Sequence, residues 1–250
     1  MSTPKLAINL YSVRALEEPI DDVFDRVADA GYDGVQFAGP YTPIEVGSHP
    51  SAVADALADR DLEATAPHVG IETLYDDLET VLAAYDPFDI DGVVVPWLDA
   101  SRFQSATAVD EVVTELAELT AVLADETGWS LHYHNHAHEY VDLGGESAFD
   151  RLCARSSMPI ELDVGWALAG GDEPATRLRQ LDDRVSQVHM KDLVTATEPG
   201  FVEIGRGDVD MQACAVAARA VDADWLIYEH DDPADPATTI DHGGAFLDRL

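Results

Sequence analysis

The segment LHYHNHAHEY, Leu131 to Tyr140, holds four of the nine histidines in this chain. Its alternating composition is typical of a β-strand, in which successive side chains point to opposite faces. On such a strand His132, His134 and His136 share one face. Aliphatic side chains normally fill the buried face of a strand, so three imidazoles there need solvent or a metal ion to satisfy their ring nitrogens. The segment therefore predicts a polar or metal-binding site.

Strand and helix patterns alternate along the rest of the chain. Seven further strands are predicted at residues 5–11, 34–38, 63–69, 92–97, 160–164, 185–191 and 225–230. Helices are predicted at about residues 19–30, 50–60, 72–85, 108–127, 147–155, 174–181 and 211–220, with a last helix reaching Leu250. Strands separated by helices run parallel, and eight such units in 250 residues predict a single (β/α)8 TIM barrel spanning residues 1–250. A doubly wound open sheet is the alternative, but no glycine-rich phosphate loop follows the first strand.

The chain is strongly acidic, with 49 Asp and Glu residues against 14 Lys and Arg residues and a formal net charge of −35. Such a surface repels itself in dilute buffer and is tolerated where salt shortens the screening length to about 3 Å at 1 M. We therefore expect a cytoplasmic protein of a halophile. The same charge disfavours nucleic acid as a partner. Neither a signal peptide nor an apolar run of about 18 residues is apparent, so no membrane association is expected.

Side chains that bind metals follow several predicted strands at their C-terminal ends, where the active sites of such barrels lie. These residues are His68, His134, His136, Asp163, His189, Lys191 and Glu229. Four of them, on four successive strands, are predicted to converge above the barrel axis: His134, Asp163, His189 and Glu229. Two imidazoles and two carboxylates suit one divalent ion, with Mn as first choice and Zn, Co or Fe as alternatives. The other interpretation is a set of separately satisfied polar residues.

Five motifs in combination resemble the xylose isomerase-like TIM barrel superfamily, and most closely its sugar phosphate isomerase/epimerase branch. They are YHNHAHEY (133–140), ELDVGWALAGGDEP (161–174), QVHMKD (187–192), IGRGDVD (204–210) and IYEHD (227–231). The resemblance implies one Mn-like ion, with Asp163, His189 and Glu229 at family ligand positions. The better-known epimerases carry a Glu on strand 5 that is both ligand and acid/base, whereas this chain has His134. An imidazole that binds the metal through one nitrogen has no free lone pair to accept a substrate proton. The epimerase mechanism in which two glutamates act as acid and base is therefore not expected for this chain.

The predicted centre favours chemistry on a keto-sugar or polyol that chelates the ion through a carbonyl and an adjacent hydroxyl. A metal-stabilised enediolate would form when Glu229, the first candidate base, removes the neighbouring proton. Lys191 would stabilise the developing oxyanion; a rim ion pair with Asp163 or Asp192 is its alternative role. Reprotonation gives isomerisation or epimerisation, and loss of a β-substituent gives dehydration or cleavage of a 3-keto-glycoside. Both outcomes stay open.

Five further residues are predicted near the substrate. His68 is expected to contact a substrate hydroxyl, which places it with Glu229 and Lys191 in the predicted catalytic set. Substrate contacts are also predicted for His136, Trp97, Trp166 and, in the loop after strand 7, Arg206. Each of these residue types is also common at a barrel rim.

Two other functions are compatible with the same scaffold. An apurinic-site endonuclease would need further ligands for a trinuclear zinc cluster where Pro96, Trp97 and Trp166 stand. A non-catalytic sugar-binding barrel would bind the metal and a small-molecule sugar without turnover. Association into a homo-oligomer is expected only by analogy with the fold.

Overall fold

The computed structural model describes residues 3–45, 47, 49–196 and 200–250. The predicted barrel domain spans residues 1–250, of which 1, 2, 46, 48 and 197–199 lie outside the described residues. That one domain spans the whole chain remains a prediction.

Eight parallel strands form the central sheet. They are β1 (Lys5–Asn9), β2 (Gly34–Gln36), β3 (Glu63–Ala64), β4 (Gly92–Val95), β5 (Ser130–His134), β6 (Ile160–Asp163), β7 (Gln187–Met190) and β8 (Trp225–Tyr228). Their order is β3-β2-β1-β8-β7-β6-β5-β4. The two outer strands are joined just beyond β3, where His68 bridges Val94. There the Val69 N–H donates to the Val94 carbonyl at 2.9 Å and the Val94 N–H donates to the Pro67 carbonyl at 2.8 Å. These bonds close the sheet, and the predicted (β/α)8 barrel is confirmed.

The described residues contain ten α-helices. They are α1 (Ile20–Asp29), α2 (Pro50–Ala58), α3 (Ile71–Asp76), α4 (Leu78–Tyr85), α5 (Ala106–Glu126), α6 (Ala148–Arg155), α7 (Val164–Ala169), α8 (Pro174–Leu181), α9 (Met211–Ala220) and α10 (Pro236–Leu247). Two differences explain the count of ten against the predicted eight. The helix after β3 breaks at Asp77, whose φ is −149°, and α7 follows β6 directly because the Asp163 side chain accepts from the Trp166 N–H at 2.8 Å and caps it. None of these helices is long and apolar enough to cross a membrane.

The strand register sorts side chains between the barrel interior and the layer under the helices. His134 pairs with Glu161, and Asp163 pairs with His189, so polar residues of neighbouring strands lie at matching heights. Residues that alternate with them, such as Tyr133, belong to the fully buried hydrophobic core. Alternation of this kind is the period-two pattern of a strand, with one face on the core and the other on the site. The barrel interior is therefore unusually polar.

The histidine segment forms a strand only as far as His134. A 3₁₀ turn, Ala137–Tyr140, replaces the predicted second half of the strand. The cause is Glu139, whose carboxylate accepts from the His136 N–H at 2.8 Å and from the Tyr133 hydroxyl at 2.6 Å. His136 consequently lies beyond the strand end, yet its ring stays 5.0 Å from the ring of His134.

A short antiparallel hairpin is inserted after β7. Its strands, Asp192–Val194 and Gly200–Val202, pair with each other and lie outside the barrel sheet. Phe201 on this hairpin packs edge-on against Trp166 at 5.2 Å between ring centroids. The hairpin therefore covers one side of the C-terminal end of the barrel.

Candidate metal centre

The four predicted metal ligands come together at the C-terminal end of β5 to β8. One nitrogen or oxygen from each of His134, Asp163, His189 and Glu229 lies within 4.8 Å of the others, and all four side chains are buried. Nε2 of His134 is 3.8 Å from Oδ2 of Asp163, and Nδ1 of His189 is 2.7 Å from Oε2 of Glu229. The structure thus assembles two nitrogens and two oxygens around one point.

Asp163 offers the clearest fit to a cation. Its Oδ1 caps α7, but its Oδ2 is buried and has no hydrogen-bond partner among the described residues. Its nearest charge is the ammonium of Lys191 at 3.1 Å, which is an ion pair without hydrogen-bond geometry. Burial raises the pKa of Asp163 to about 6, against the opposing charge of Lys191. A buried carboxylate oxygen that has one ion pair and no hydrogen bond still has room for a second cation, which would offset more of the cost of its burial.

The imidazole of His134 is in the form that a metal requires. Burial lowers the pKa of His134 to about 3, so the ring is neutral at physiological pH. Its Nδ1 lies 3.0 Å from Oε1 of Glu161, which leaves Nε2 on the side of Asp163. For His189, burial opposes charging, but Glu161 and Glu229 outweigh it and raise its pKa to about 10. Nitrogen and carboxylate donors in this ratio suit a divalent ion of intermediate hardness.

Glu161 is a part of the site that the sequence-based prediction did not include. The carboxylate is fully buried, and its Oε2 accepts from Nε2 of Gln36 at 2.5 Å and from Nε2 of Gln187 at 2.6 Å. Its Oε1 faces three ring nitrogens, those of His68 at 2.6 Å, His134 at 3.0 Å and His189 at 3.1 Å. The only signal in the sequence was the two-residue spacing between Glu161 and Asp163, which places both side chains on one face of β6.

A second group of possible ligands overlaps the first one. It consists of His68, His134, Glu161 and His189. Its carboxylate, Glu161, lies two residues before Asp163 on β6 and therefore deeper in the barrel. Hydrogen bonds from Gln36 and Gln187 already hold its carboxylate, whereas the upper group contains Oδ2 of Asp163, which accepts no hydrogen bond within the described part of the chain. The upper group is therefore the better candidate for the metal.

Lys191 lies inside the site rather than at the rim. Its Nζ is 3.1 Å from Oδ2 of Asp163, 3.0 Å from Oε2 of Glu229 and 3.0 Å from Oδ2 of Asp231. Burial would lower the pKa of Lys191, but these three carboxylates outweigh burial and raise it above its ordinary value. The ammonium is therefore charged at physiological pH. The predicted ion pair between Lys191 and Asp163 is present. Asp192, the alternative partner predicted for Lys191, instead accepts hydrogen bonds from the N–H groups of Gly205 and Gly207.

A cavity of about 540 Å³ opens above the centre. Its polar floor consists of His68, His134, His136, Lys191, Glu229 and Asp231, and its wall includes the apolar side chains of Tyr11, Ile44, Val69, Tyr85, Pro96 and Trp97. A space of this size and mixed lining suits a small polar molecule with an apolar side. The predicted catalytic residues Glu229, Lys191 and His68 all border it.

The predicted substrate contacts lie in different places. Trp97 lines the cavity and is 51% exposed, and His136 lines it with a buried Nδ1 that has no partner among the described residues. Trp166 is not part of the described lining; its ring lies 5.3 Å from His136 and 5.1 Å from the Lys191 ammonium. His68 borders the cavity, but its Nε2 faces Glu161 at 2.6 Å and its Nδ1 faces Asn9 at 3.5 Å.

Arg206 is exposed and outside the described lining of the cavity. Its loop is held by the buried carboxylate of Asp192, which accepts from the backbone N–H groups of Gly205 at 2.9 Å and Gly207 at 2.8 Å. The structure therefore does not bring Arg206 together with the other predicted site residues, and a role in binding substrate remains a prediction.

Residues 24–250 match the model of the xylose isomerase-like TIM barrel family. Because the match covers most of the chain, the protein belongs to this family. Among curated proteins, the inosose dehydratase of Geobacillus kaustophilus (strain HTA426) is 30% identical over 155 residues, which cover 52% of this chain and 49% of that enzyme. The chain thus aligns with only about half the length of that relative.

Solved structures support the same fold. A sugar phosphate isomerase/epimerase from Parabacteroides distasonis superposes with a TM-score of 0.83 at 16% identity, over 98% of each chain. The structure of IolI protein with a bound zinc atom superposes with a TM-score of 0.69 at 15% identity, over 97% of this chain and 96% of that one. At these identities the likeness establishes the fold.

Proposed function

We propose that this protein is a divalent-metal-dependent enzyme that moves a proton beside the carbonyl of a keto-sugar or related polyol. The observation that carries this proposal is the convergence of His134, Asp163, His189 and Glu229, where a buried oxygen of Asp163 has no hydrogen-bond partner among the described residues. The centre borders a cavity large enough for a sugar. Buried ionisable groups that cluster beside a cavity are typical of active sites.

Mn is the first choice for the ion, with Zn, Co and Fe as alternatives, because the donor set mixes imidazole and carboxylate. A bound zinc atom in the IolI structure supports a divalent ion in this fold. When bound, the ion would supply Lewis-acid polarisation of the substrate carbonyl and favour the enediolate over the ketone.

Glu229 is proposed to remove the proton next to the carbonyl. It borders the cavity, and although burial raises its pKa, the charges of Lys191 and His189 outweigh burial and hold the pKa well below its ordinary value. The carboxylate is therefore ionised and able to accept a proton at physiological pH. The Lys191 ammonium, 3.0 Å from Glu229, is proposed to stabilise negative charge that develops on the substrate oxygen.

The lining of the cavity favours a substrate without a phosphate. Lys191 is the only Lys or Arg in the described lining, and three carboxylates already surround its ammonium. Glu45 adds a further carboxylate to the lining of the same cavity. Apart from the proposed metal ion, a dianionic phosphate would meet no cation in the described lining that lacks a carboxylate partner, which is unfavourable.

Isomerisation or epimerisation is the first proposed outcome, in line with the isomerase/epimerase neighbour. Such a reaction needs a group that returns the proton to another position or face of the carbon framework. His136 is the candidate partner of Glu229 in this transfer, because it lines the cavity and its buried Nδ1 has no hydrogen-bond partner among the described residues. Burial holds the pKa of His136 well below its ordinary value, so the neutral ring would accept a proton in one direction of the reaction and return it in the other.

Dehydration is the second candidate, and the residue at the end of β5 favours it. His134 stands where a second catalytic carboxylate would be needed, and the nearby Glu161 is saturated with hydrogen bonds. In a dehydration, Glu229 would take the α-proton and, once protonated, give that proton to the departing hydroxyl, which leaves as water, so a single carboxylate suffices. The similarity to inosose dehydratase supports this outcome as well.

Proton exchange with solvent separates the outcomes. The metal-loaded protein in molar KCl and D₂O would be incubated with unphosphorylated ketohexoses and with inosose, and the products followed by NMR. Deuterium beside the carbonyl with an unchanged carbon skeleton indicates isomerisation or epimerisation, and loss of water to an enone indicates dehydration. Absence of both reactions with every substrate, at full metal occupancy, would overturn the proposed enzyme in favour of a sugar-binding barrel.

A further inference from the structure

We propose that Glu161, which is not itself a ligand of the centre, is a positioning residue that dictates which ring nitrogen of His134 and of His189 binds the metal. This inference rests on the metal-dependent function proposed above. It concerns the hydrogen bonds below the centre, where a carboxylate, two amides and three imidazoles form one connected buried network.

Two glutamines hold the Glu161 carboxylate in one orientation. The side-chain amide of Gln36 donates to Oε2 of Glu161 and also to the carbonyl of Ala66 at 2.9 Å. A backbone carbonyl only accepts, so the atom between the two acceptors must be the NH₂ group of Gln36. Gln187 donates to the same Oε2, and its own oxygen accepts from the Ala66 N–H at 2.9 Å. The carboxylate therefore cannot turn away from the histidines without breaking bonds to both amides.

The fixed carboxylate determines the tautomer of His134. A carboxylate that receives two amide donors on Oε2 offers acceptor sites on Oε1, so a ring nitrogen facing Oε1 carries hydrogen. Nδ1 of His134 is that nitrogen, at 3.0 Å from Glu161. Nε2 must then bear the lone pair, and Nε2 is the atom on the side of Asp163. The metal would consequently bind His134 through Nε2.

The same network turns His189 the opposite way. Its Nε2 faces two acceptors, Oε1 of Gln36 at 2.7 Å and Oε1 of Glu161 at 3.1 Å, and therefore carries hydrogen. Its Nδ1 is the nitrogen that lies beside Glu229, at 2.7 Å. The metal would bind His189 through Nδ1. Carboxylates that hold ligand histidines in this manner orient the ring and raise its basicity.

Glu139 provides a control for the replacement of a buried glutamate by glutamine close to the site. It is as fully buried as Glu161, and it lies on the 3₁₀ turn just after β5. Its carboxyl group accepts hydrogen bonds from the Tyr133 hydroxyl and the His136 N–H, and none of the four ligands is among its hydrogen-bond partners in the described part of the chain.

The test is cobalt binding to the full chain, stripped of metal with a chelator and kept in molar KCl. Wild type, Glu161→Gln and Glu139→Gln are titrated with Co²⁺ by calorimetry, and the visible d–d spectrum is recorded for each. We expect Glu161→Gln to bind Co²⁺ about 10–100-fold more weakly and with an altered spectrum, since loss of such a supporting carboxylate has effects of this size. Glu139→Gln is expected to match wild type in both measurements.

A second measurement needs no variant and covers the case in which Glu161→Gln fails to fold. In zinc-loaded wild type, ¹⁵N chemical shifts of the histidine rings identify which nitrogen carries hydrogen. His134 is expected as the Nδ1–H tautomer and His189 as the Nε2–H tautomer. Binding of both histidines through the same ring atom would overturn the inference.

The remaining outcomes separate the inference from the proposed function. If wild type takes up Co²⁺ and Glu161→Gln equals it in affinity and spectrum, the positioning role is wrong while the metal centre stands. Two ions per wild-type chain would make Glu161 a ligand in the deeper group, which also contradicts the inference. If wild type takes up no metal, the metal centre itself is refuted and the inference falls with it.

Discussion

Asp163 and Glu161 are two residues apart on one face of β6, yet their surroundings assign them different tasks. Glu161 accepts from two amides and faces three imidazoles, whereas Oδ2 of Asp163 has no hydrogen bond among the described residues. The saturated carboxylate is suited to hold other side chains in place. Oδ2 of Asp163 has only its ion pair with Lys191 to offset the cost of burial, so it is suited to bind a further cation.

The two-residue spacing of Glu161 and Asp163 predicted that both carboxylates lie on the same face of the strand, but it could not distinguish their roles. The partners of Glu161 come from β2, the end of β3, β5 and β7, which are distant in sequence. Such long-range contacts leave no local pattern. The four ligands were easier to predict because each one stands alone as a metal-binding residue type at the end of its own strand.

Lys191 gives a test of catalysis that is separate from metal binding. Replacing it with Met removes the positive charge among Asp163, Glu229 and Asp231 but leaves all four predicted ligands. We expect turnover to fall about 10²–10³-fold, as for loss of a group that stabilises a developing oxyanion, with metal affinity retained or increased. Steady-state kinetics and metal titration measure the two effects.

The matched control is Lys5→Met, because Lys5 is the only other lysine in the chain. Lys5 forms an exposed ion pair with Glu63 at 2.5 Å at the other end of the barrel. Its replacement is expected to leave turnover unchanged. Equal activities of Lys191→Met and wild type would remove Lys191 from the mechanism.

Glu139 predicts a dependence of stability on pH. Burial raises its pKa from 4.5 to about 8, so the folded state binds this proton more tightly than the unfolded state does. The resulting stability is fully present below pH 4.5 and is lost as the pH rises through 8. Compared with Glu139→Gln, wild type should lose on the order of 3–5 kcal/mol across this window. Urea unfolding of both proteins from pH 5 to 9 measures the difference, and parallel curves would contradict it.

At the scale of elements, Asp192 links the inserted hairpin to the loop that carries Arg206. Its carboxylate accepts from the N–H groups of Gly205, Gly207 and Val209. Replacement by Ala leaves these donors without their charged acceptor, and we expect a loss of about 1–3 kcal/mol in the free energy of unfolding. The comparison is Asp208→Ala in the same loop, since the exposed Asp208 bonds Thr195 alone. Equal losses in the free energy of unfolding for the two variants, measured by urea unfolding, would show that the three hydrogen bonds to Asp192 do not stabilise the fold.

Element ends were the least predictable part of the fold. Alternation continues past His134, yet the carboxylate of Glu139 folds back on the His136 N–H and starts a turn. The extra helix α7 begins directly after β6 because the side chain of Asp163, which is also a predicted ligand, caps its N-terminus. The alternation of polar and apolar residues does not reveal the contact of Glu139 with the His136 N–H or that of Asp163 with the Trp166 N–H. The periodicity therefore predicted the elements but not these boundaries.

At the scale of the whole molecule, eight strand and helix units were sufficient to predict a closed barrel, which the bridge between His68 and Val94 completes. The cavity was less predictable, because its wall combines residues from several loops, including Ile44 and Trp97. Arg206 was predicted near the substrate from its position in the loop after β7, yet its side chain is exposed and outside the described lining of the cavity. Position in a loop alone was not enough to predict a site residue.

The net charge of −35 predicts that salt stabilises the folded protein. Repulsion among acidic side chains weakens as the screening length falls, so the melting midpoint should rise by about 5 °C or more between dilute buffer and molar KCl. Calorimetry or circular dichroism over a KCl series measures it. A midpoint that stays constant or falls would argue against adaptation to a salt-rich cytoplasm.

The metal content of purified protein addresses the proposed centre most directly. Wild type, Asp163→Asn and Glu139→Gln would be purified in molar KCl without chelator and analysed for divalent metals. Asn at position 163 keeps an oxygen that can cap α7 but removes the charge. We expect about one ion per chain in wild type and Glu139→Gln, and little in Asp163→Asn. About three ions per chain would point to a trinuclear nuclease instead, and a wild type without metal even after incubation with Mn and Zn would contradict the centre altogether.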